Sequence, residues 1–230
     1  MNCVILQPSY IPWRGYFHQI QKSDVFVFYD DVQYDTGGWR NRNRVKTAAG
    51  MRWLTIPVHS QGAETLQRPI NSIEICWNQK WNAKHLAVLE NAYRTAPYFR
   101  QYAPLLRSWY QQHPRLLADF TIQQTIDLAH ELGIKSTQFL RASTFAVEGT
   151  KTDRLVSLLK QIGADHYICG PAAKVYMDES LLNAHGITLE WMEYRYPDYP
   201  QLHPPYDPHV SILDLLMMTG AEAPRYIWAS

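Results

Sequence analysis

No apolar run in the sequence approaches the roughly 18 residues that a membrane-crossing helix needs, so a helical span is excluded. Cysteine is scarce. Cys3, Cys76 and Cys169 stand far apart, and none belongs to a Cys-x-x-Cys pair, which argues against a disulfide framework. An odd number of cysteines set in apolar runs points to free, buried thiols in a reducing cytoplasm. Net charge is nearly absent as well: 22 Lys and Arg against 21 Asp and Glu leave +1, so no global field draws the chain to nucleic acid or to an anionic membrane. The nine histidines show no His-x-x-x-His or Cys/His spacing, and no metal site is expected. Gly-x-Gly-x-x-Gly, Walker and Gly-x-Ser-x-Gly motifs are missing, so no motif assigns a cofactor or an elbow nucleophile. The opening Met1-Asn2-Cys3-Val4-Ile5-Leu6 has no basic stretch and meets Gln7-Pro8 too soon for a signal peptide.

Aromatic residues, by contrast, are plentiful: 8 Trp, 15 Tyr and 7 Phe. Many must be core, because such rings bury large areas; Tyr and Trp also recur where a polar tip meets a ligand. Their positions matter more than their number.

Cys3–Leu6 reads as a first strand, halted by a loop in which Pro8 and Pro12 forbid immediate helix. A short helix carrying Arg14, His18 and Gln19 follows from Trp13. Val25–Tyr29 is an uninterrupted apolar run, as in a strand buried on both faces. The opening is therefore a βαβ unit whose polar residues cluster past the strand C-termini, the rim where open α/β sheets bind ligands. Met51–Val58 and Ile70–Ile75 resemble further strands. Helices are expected around Trp81–Ala92, Tyr102–Gln112 and Pro114–Leu132, the last stopped by Gly133. Strand candidates Ser136–Leu140, His166–Cys169 and Ile187–Tyr194 then alternate with helices at Thr152–Ile162, Met177–Ala184 and Ile212–Met218. This alternation predicts an α/β, Rossmann-like fold with a mostly parallel sheet in one domain over 1–230, with a helical insertion or subdomain at about 79–132.

Four groups could carry chemistry. Arg40, Arg42, Arg44 and Lys46 alternate with Asn41, Asn43 and Val45, so an extended segment would point the cations one way and the asparagines the other. Such a face suits phosphate or carboxylate; the bland alternative is a strand edge blunted by charge. Asp30 and Asp31 follow a buried strand, where either could be a general base, hold a metal or orient Arg42, or simply form a turn. His18 is the histidine best placed for proton transfer, although a lone helix histidine is more often a packing residue. Gly170-Pro171-Ala172-Ala173-Lys174 could put backbone N–H groups near an anion, and a tight strand-to-helix turn explains it equally well.

The run Gln7-Pro8-Ser9-Tyr10-Ile11-Pro12-Trp13-Arg14-Gly15-Tyr16-Phe17, with Asp31-Val32-Gln33-Tyr34 and Trp39-Arg40-Asn41-Arg42-Asn43, strongly resembles the WbqC-like family. The likeness continues through Lys46, Gly50 and Trp53–Val58. It resumes at Ala96–Phe99, at Gly170 with Tyr176, and at Ser211–Asp214. Members are associated with bacterial O-antigen, other surface-polysaccharide and specialised-metabolite gene sets. The resemblance thus implies a cytoplasmic transferase of surface-polysaccharide or related sugar biosynthesis, moving an acyl or aminoacyl group to an activated amino sugar. Its alternative is a non-catalytic nucleotide- or sugar-binding protein of the same pathway. The expected ligand is phosphorylated or carboxylated, as in a nucleotide sugar or acyl thioester, and nucleic acid is not expected as a partner. Gln7, Tyr10, Trp13, Tyr16, Tyr34, Trp39, Arg40, Asn41, Arg42, Asn43 and Lys46 are the expected ligand contacts, with His18, Asp30 and Asp31 handling protons. The same order of elements looks like the opening of nucleotidyltransferase-type Rossmann folds. Trp13-Arg14-Gly15-Tyr16 stands where these carry His-x-Gly-His, so adenylyl transfer by that route lacks its histidines.

Overall fold

A computed structural model describes residues 1–59, 65 and 67–228. Five short strands, β1 (Asn2–Leu6), β2 (Val25–Phe28), β5 (Gln138–Arg141), β6 (His166–Cys169) and β7 (Thr188–Trp191), form one parallel sheet in the order β5-β2-β1-β6-β7. The chain builds outward from β1 to one side, then returns to add β6 and β7 on the other. The reversal lies between β1 and β6, the topological switch point of a Rossmann-like α/β fold.

The apolar runs have a simple cause. Val4, Phe26, Phe28 and Ile168 enter one core, while Cys3, Ile5, Val25, Val27, Tyr167 and Cys169 enter the other. Successive side chains of a strand face opposite ways, so a sheet covered on both sides needs apolar residues at every position. The first core is covered by α1 (Arg14–Lys22) with Tyr16, Phe17 and Ile20, and by α2 (Trp81–Tyr93), α3 (Phe99–Gln111) and α4 (Leu117–Glu131). The second is covered by α5 (Lys151–Ile162) and α6 (Glu179–Ala184). Gly163, at φ +79°, ends α5 in the left-handed conformation that glycine adopts without cost.

Between β2 and α2 a two-stranded antiparallel hairpin, β3 (Arg42–Thr47) and β4 (Gly50–Thr55), stands apart from the main sheet. The expected strand at Ile70–Ile75 is absent. Ile70–Ser72 is a 3-10 turn, and Ile75 makes only an isolated bridge to Val58. Ile70, Ile73 and Ile75 are all buried, so their spacing marked inward-facing residues and not a ladder. Three helices do occupy 81–131, and their apolar faces share the first core with the sheet and with α7 (Ile212–Thr219). No helix among the described residues is long and apolar enough to cross a membrane.

Candidate functional site

A cavity of about 770 Å³ opens at the C-terminal edge of β1 and β6. Its floor is Ile5, Leu6, Tyr167 and Gly170. One side belongs to α1, the loop before it and the segment from the end of β2 into β3, the other to α5 and the segment following β6. Three cations, Arg40, Arg44 and Lys151, line it together with His209 and seven Trp and Tyr rings, and no Asp or Glu is on the wall among the described residues.

The wall is held in place by backbone stitching. The loop after β1 is bonded to two later segments: Tyr10 N–H donates to Trp39 O at 3.0 Å, and Ile212 N–H donates to Pro12 O at 2.8 Å. Ser211 N–H closes the ring on Arg44 O at 3.0 Å. Ile11 sits at φ +37°, a left-handed conformation that strains a β-branched residue. Buried Asn43 compensates, its amide donating to the carbonyls of Tyr10 (3.0 Å) and Ile11 (2.9 Å). Gln7 turns its Oε1 to accept from Arg40, and Tyr16 donates its hydroxyl to Gln7 O at 3.0 Å. Burial pushes the Tyr16 hydroxyl pKa up and pulls that of Arg40 down.

The cations differ in how firmly they are spoken for. Arg40 is 11% exposed and has Asp35 at 3.8 Å from its Nε. Among the described residues Arg44 has no carboxylate partner; its guanidinium lies 6.0 Å from the Trp39 ring and 5.7 Å from Trp53, and its Nε is buried without a hydrogen bond. Stacking on indole fixes the plane of a guanidinium and leaves its in-plane N–H groups free for an anion. On the α5 side Lys151 forms no ion pair among the described residues. The arrangement can therefore bind an anion beside aromatic plates.

The residues singled out from sequence divide by location. Gln7, Trp13, Tyr16, Trp39, Arg40 and Asn43 are on the wall. Tyr10 is fully buried, hydrogen-bonded to His85 Nδ1 at 2.9 Å and to the Tyr110 hydroxyl. Tyr34 is also core, and Asn41 donates to Ile56 O at 2.9 Å within the fold. Arg42 bonds Gly37 O and stacks 4.5 Å over Trp53, outside the cavity. Lys46 is buried against Gln201 Oε1 (2.7 Å) and Pro205 O. His18, half-buried, meets the Tyr196 hydroxyl at 3.0 Å; burial, then nearby Lys22, lowers its pKa.

The two carboxylates are likewise off the wall. Asp30, fully buried, accepts from Arg141 Nε (2.8 Å), Ser143 N (3.0 Å) and Ser143 Oγ (2.8 Å). Asp31 pairs with Arg154 at 2.5 Å; burial raises its pKa against the pull of that arginine. Among the described residues no group of three or more His, Cys, Asp or Glu is arranged to hold a metal ion.

Sequence reasoning passed over Lys151, Tyr194 and His209, which reach the cavity from far along the chain. Tyr194 packs edge-on to Trp13 at 5.1 Å, and a side chain at Gly170 would stand 3.0 Å from the Tyr194 hydroxyl. Glycine at 170 therefore lets that hydroxyl reach the end of β6. His209 lies 3.5 Å from Asp207, whose backbone is held on both sides by Gln201. No local pattern marks these residues, because Lys151 is placed by α5 while Tyr194 and His209 are placed by the later return of the chain.

Comparison with known proteins agrees with this arrangement of motifs. The model of the WbqC-like protein family matches residues 7–226. The uncharacterized protein Rv1507c of Mycobacterium tuberculosis (strain ATCC 25618 / H37Rv) is 40% identical over 227 residues, spanning 97% of this chain and 96% of its own. No solved structure matches. The match of nearly the whole chain places it by descent: it belongs to the WbqC-like protein family.

Proposed function

We propose that the switch-point cavity binds a phosphorylated or carboxylated small molecule, of the nucleotide-sugar or acyl-thioester class, and that the protein is a cytoplasmic transferase acting on it. The observation that carries this reading is the wall itself, with three cations, seven aromatic rings and no carboxylate. A crevice of that composition attracts an anion and shelters a flat or apolar body beside it. Transfer of an acyl or aminoacyl group to an activated amino sugar fits the surface-polysaccharide setting that the family implies. Three free, buried cysteines fit a reducing compartment.

Thermal-shift screening against nucleotide sugars, coenzyme A thioesters and nucleoside triphosphates tests the reading. A ligand at one hundred times its dissociation constant should stabilise the fold by ~2.7 kcal/mol. Arg44→Met should remove most of that shift. An unchanged shift in this variant would place the ligand elsewhere.

A second reading, binding without catalysis, is favoured by the displacement of His18, Asp30 and Asp31 from the wall. His18→Gln and Asp31→Asn separate the two. Loss of turnover with nucleotide-sugar affinity retained supports an enzyme that uses these groups, and unchanged turnover in both removes them from the chemistry.

A further inference from the structure

We infer that the cavity takes a nucleoside diphosphate whose base lies on the α1 side, where Gln19 reads its polar edge. This rests on the reading of the crevice as an anion site. Gln19 is 4% exposed and lies on the cavity wall. Its amide makes no hydrogen bond to any described residue, and Oε1 is sealed from solvent without a partner. Buried amides normally find partners, as Asn41 and Asn43 do here. Gln124 in α4 is also unpaired, but it is not on this wall. The carboxamide of this wall residue therefore keeps hydrogen-bonding capacity that no described residue takes up. A half-turn about its last bond exchanges the oxygen and nitrogen ends, so it can meet either a donor or an acceptor of a heterocycle.

The surroundings narrow the ligand. Trp13, Tyr16 and Gln19 follow one another at spacings of three along the start of α1, and all three line the cavity. With Tyr194 set edge-on to Trp13, they give flat aromatic walls around one amide. That combination suits a planar ring with polar edges better than a saturated sugar.

The diphosphate cannot take the usual place at the start of α1. In dinucleotide-binding folds the pyrophosphate sits on the first helix's N-terminus after a glycine-rich turn. Here the Trp13 ring is packed against Gly15 so closely that a Cβ there would lie 2.3 Å from the indole. The first turn of α1 is covered, and the cationic places left on the wall are Arg40, Arg44 and Lys151. Base and phosphates are therefore held by different elements: α1 holds the base, and Arg40 and Arg44 of the β3 segment, with Lys151 at the start of α5, hold the phosphates.

Isothermal titration with pyrophosphate, uridine 5′-diphosphate, adenosine 5′-diphosphate and coenzyme A, on the wild type and Gln19→Leu, tests this. The nucleotides should bind more tightly than pyrophosphate. Gln19→Leu should weaken them by about ten- to a hundredfold, leave pyrophosphate unchanged, and leave the melting temperature unchanged or raised. The two diphosphates identify the base, and coenzyme A tests whether the cavity also accepts a pantetheine arm. If the nucleoside adds nothing to pyrophosphate, or Gln19→Leu affects both alike, the inference falls while the anion site stands. If no probe binds the wild type, both fall.

Discussion

Arg141 at the end of edge strand β5 donates Nε–H to Asp30 Oδ2 across 2.8 Å, tying β5 to the residues just past its neighbour β2. The same guanidinium reaches Asp119 of α4 at 2.7 Å. Asp30 thus fastens the rim of the sheet, with Ser143 supplying its other two donors.

Asp30→Ala should cost about 3 kcal/mol in urea unfolding, because it strips a buried carboxylate from a cation and two serine donors. Binding of anions per folded molecule should persist. A variant of full stability that has lost turnover would instead give Asp30 a chemical role.

His85 links acid sensitivity to the core. Burial is the main reason its pKa falls from 6.5 to about 4, with Tyr10 bonded to Nδ1. The unfolded chain takes up a proton near pH 6.5 and the folded one does not until about pH 4, so stability falls as pH drops through that window. The shift corresponds to about 3 kcal/mol, lost by pH 4 and level below it. His85→Gln should flatten the stability–pH curve between those limits. An equally steep curve in the variant would assign the slope to other groups.

Gly15→Ala should leave the chain folded yet disturb the cavity. The added methyl would meet the Trp13 indole at 2.3–2.7 Å, so the ring must swing from its place against Tyr194. Alanine is the better helix former by about 1 kcal/mol, which offsets part of the strain. The expected result is an altered near-UV circular dichroism spectrum and about tenfold weaker nucleotide binding. An unaltered spectrum with unaltered affinity would show that the indole's place is immaterial.

Much of the sheet was legible because burial on both faces writes itself as unbroken apolar runs at β1 and β2. The hairpin was legible only in part. Alternation separated the cations from Asn41 and Asn43, but it could not show that Asn41, Asn43 and Val45 would be buried, or that Lys46 would be buried as well and taken up by Gln201. Ile70–Ile75 misled because inward-facing isoleucines at short spacing suit a 3-10 turn as well as a strand. Within the cavity, Gln7, Trp13 and Arg40 came from a dense local motif, whereas Tyr194 and His209 stand in a tyrosine- and proline-rich stretch with no motif. Gln19 was visible as a residue, but its lack of a partner is a property of packing alone.

The binding of the C-terminal stretch to the first helix orders events in time. Arg14 donates to Pro197 O (2.9 Å), Tyr226 O (3.2 Å) and the Tyr206 hydroxyl (3.0 Å), so one buried guanidinium gathers three points of that stretch. During synthesis the first βαβ unit leaves the ribosome long before Tyr194 and His209 exist. The cavity therefore lacks Tyr194 and His209 until the stretch that Arg14 gathers has been made, and a chain cut before it would carry the motif with an incomplete wall. Recognition therefore depends on residues near 194 and 209 as much as on the dense motif from Gln7 to Tyr16.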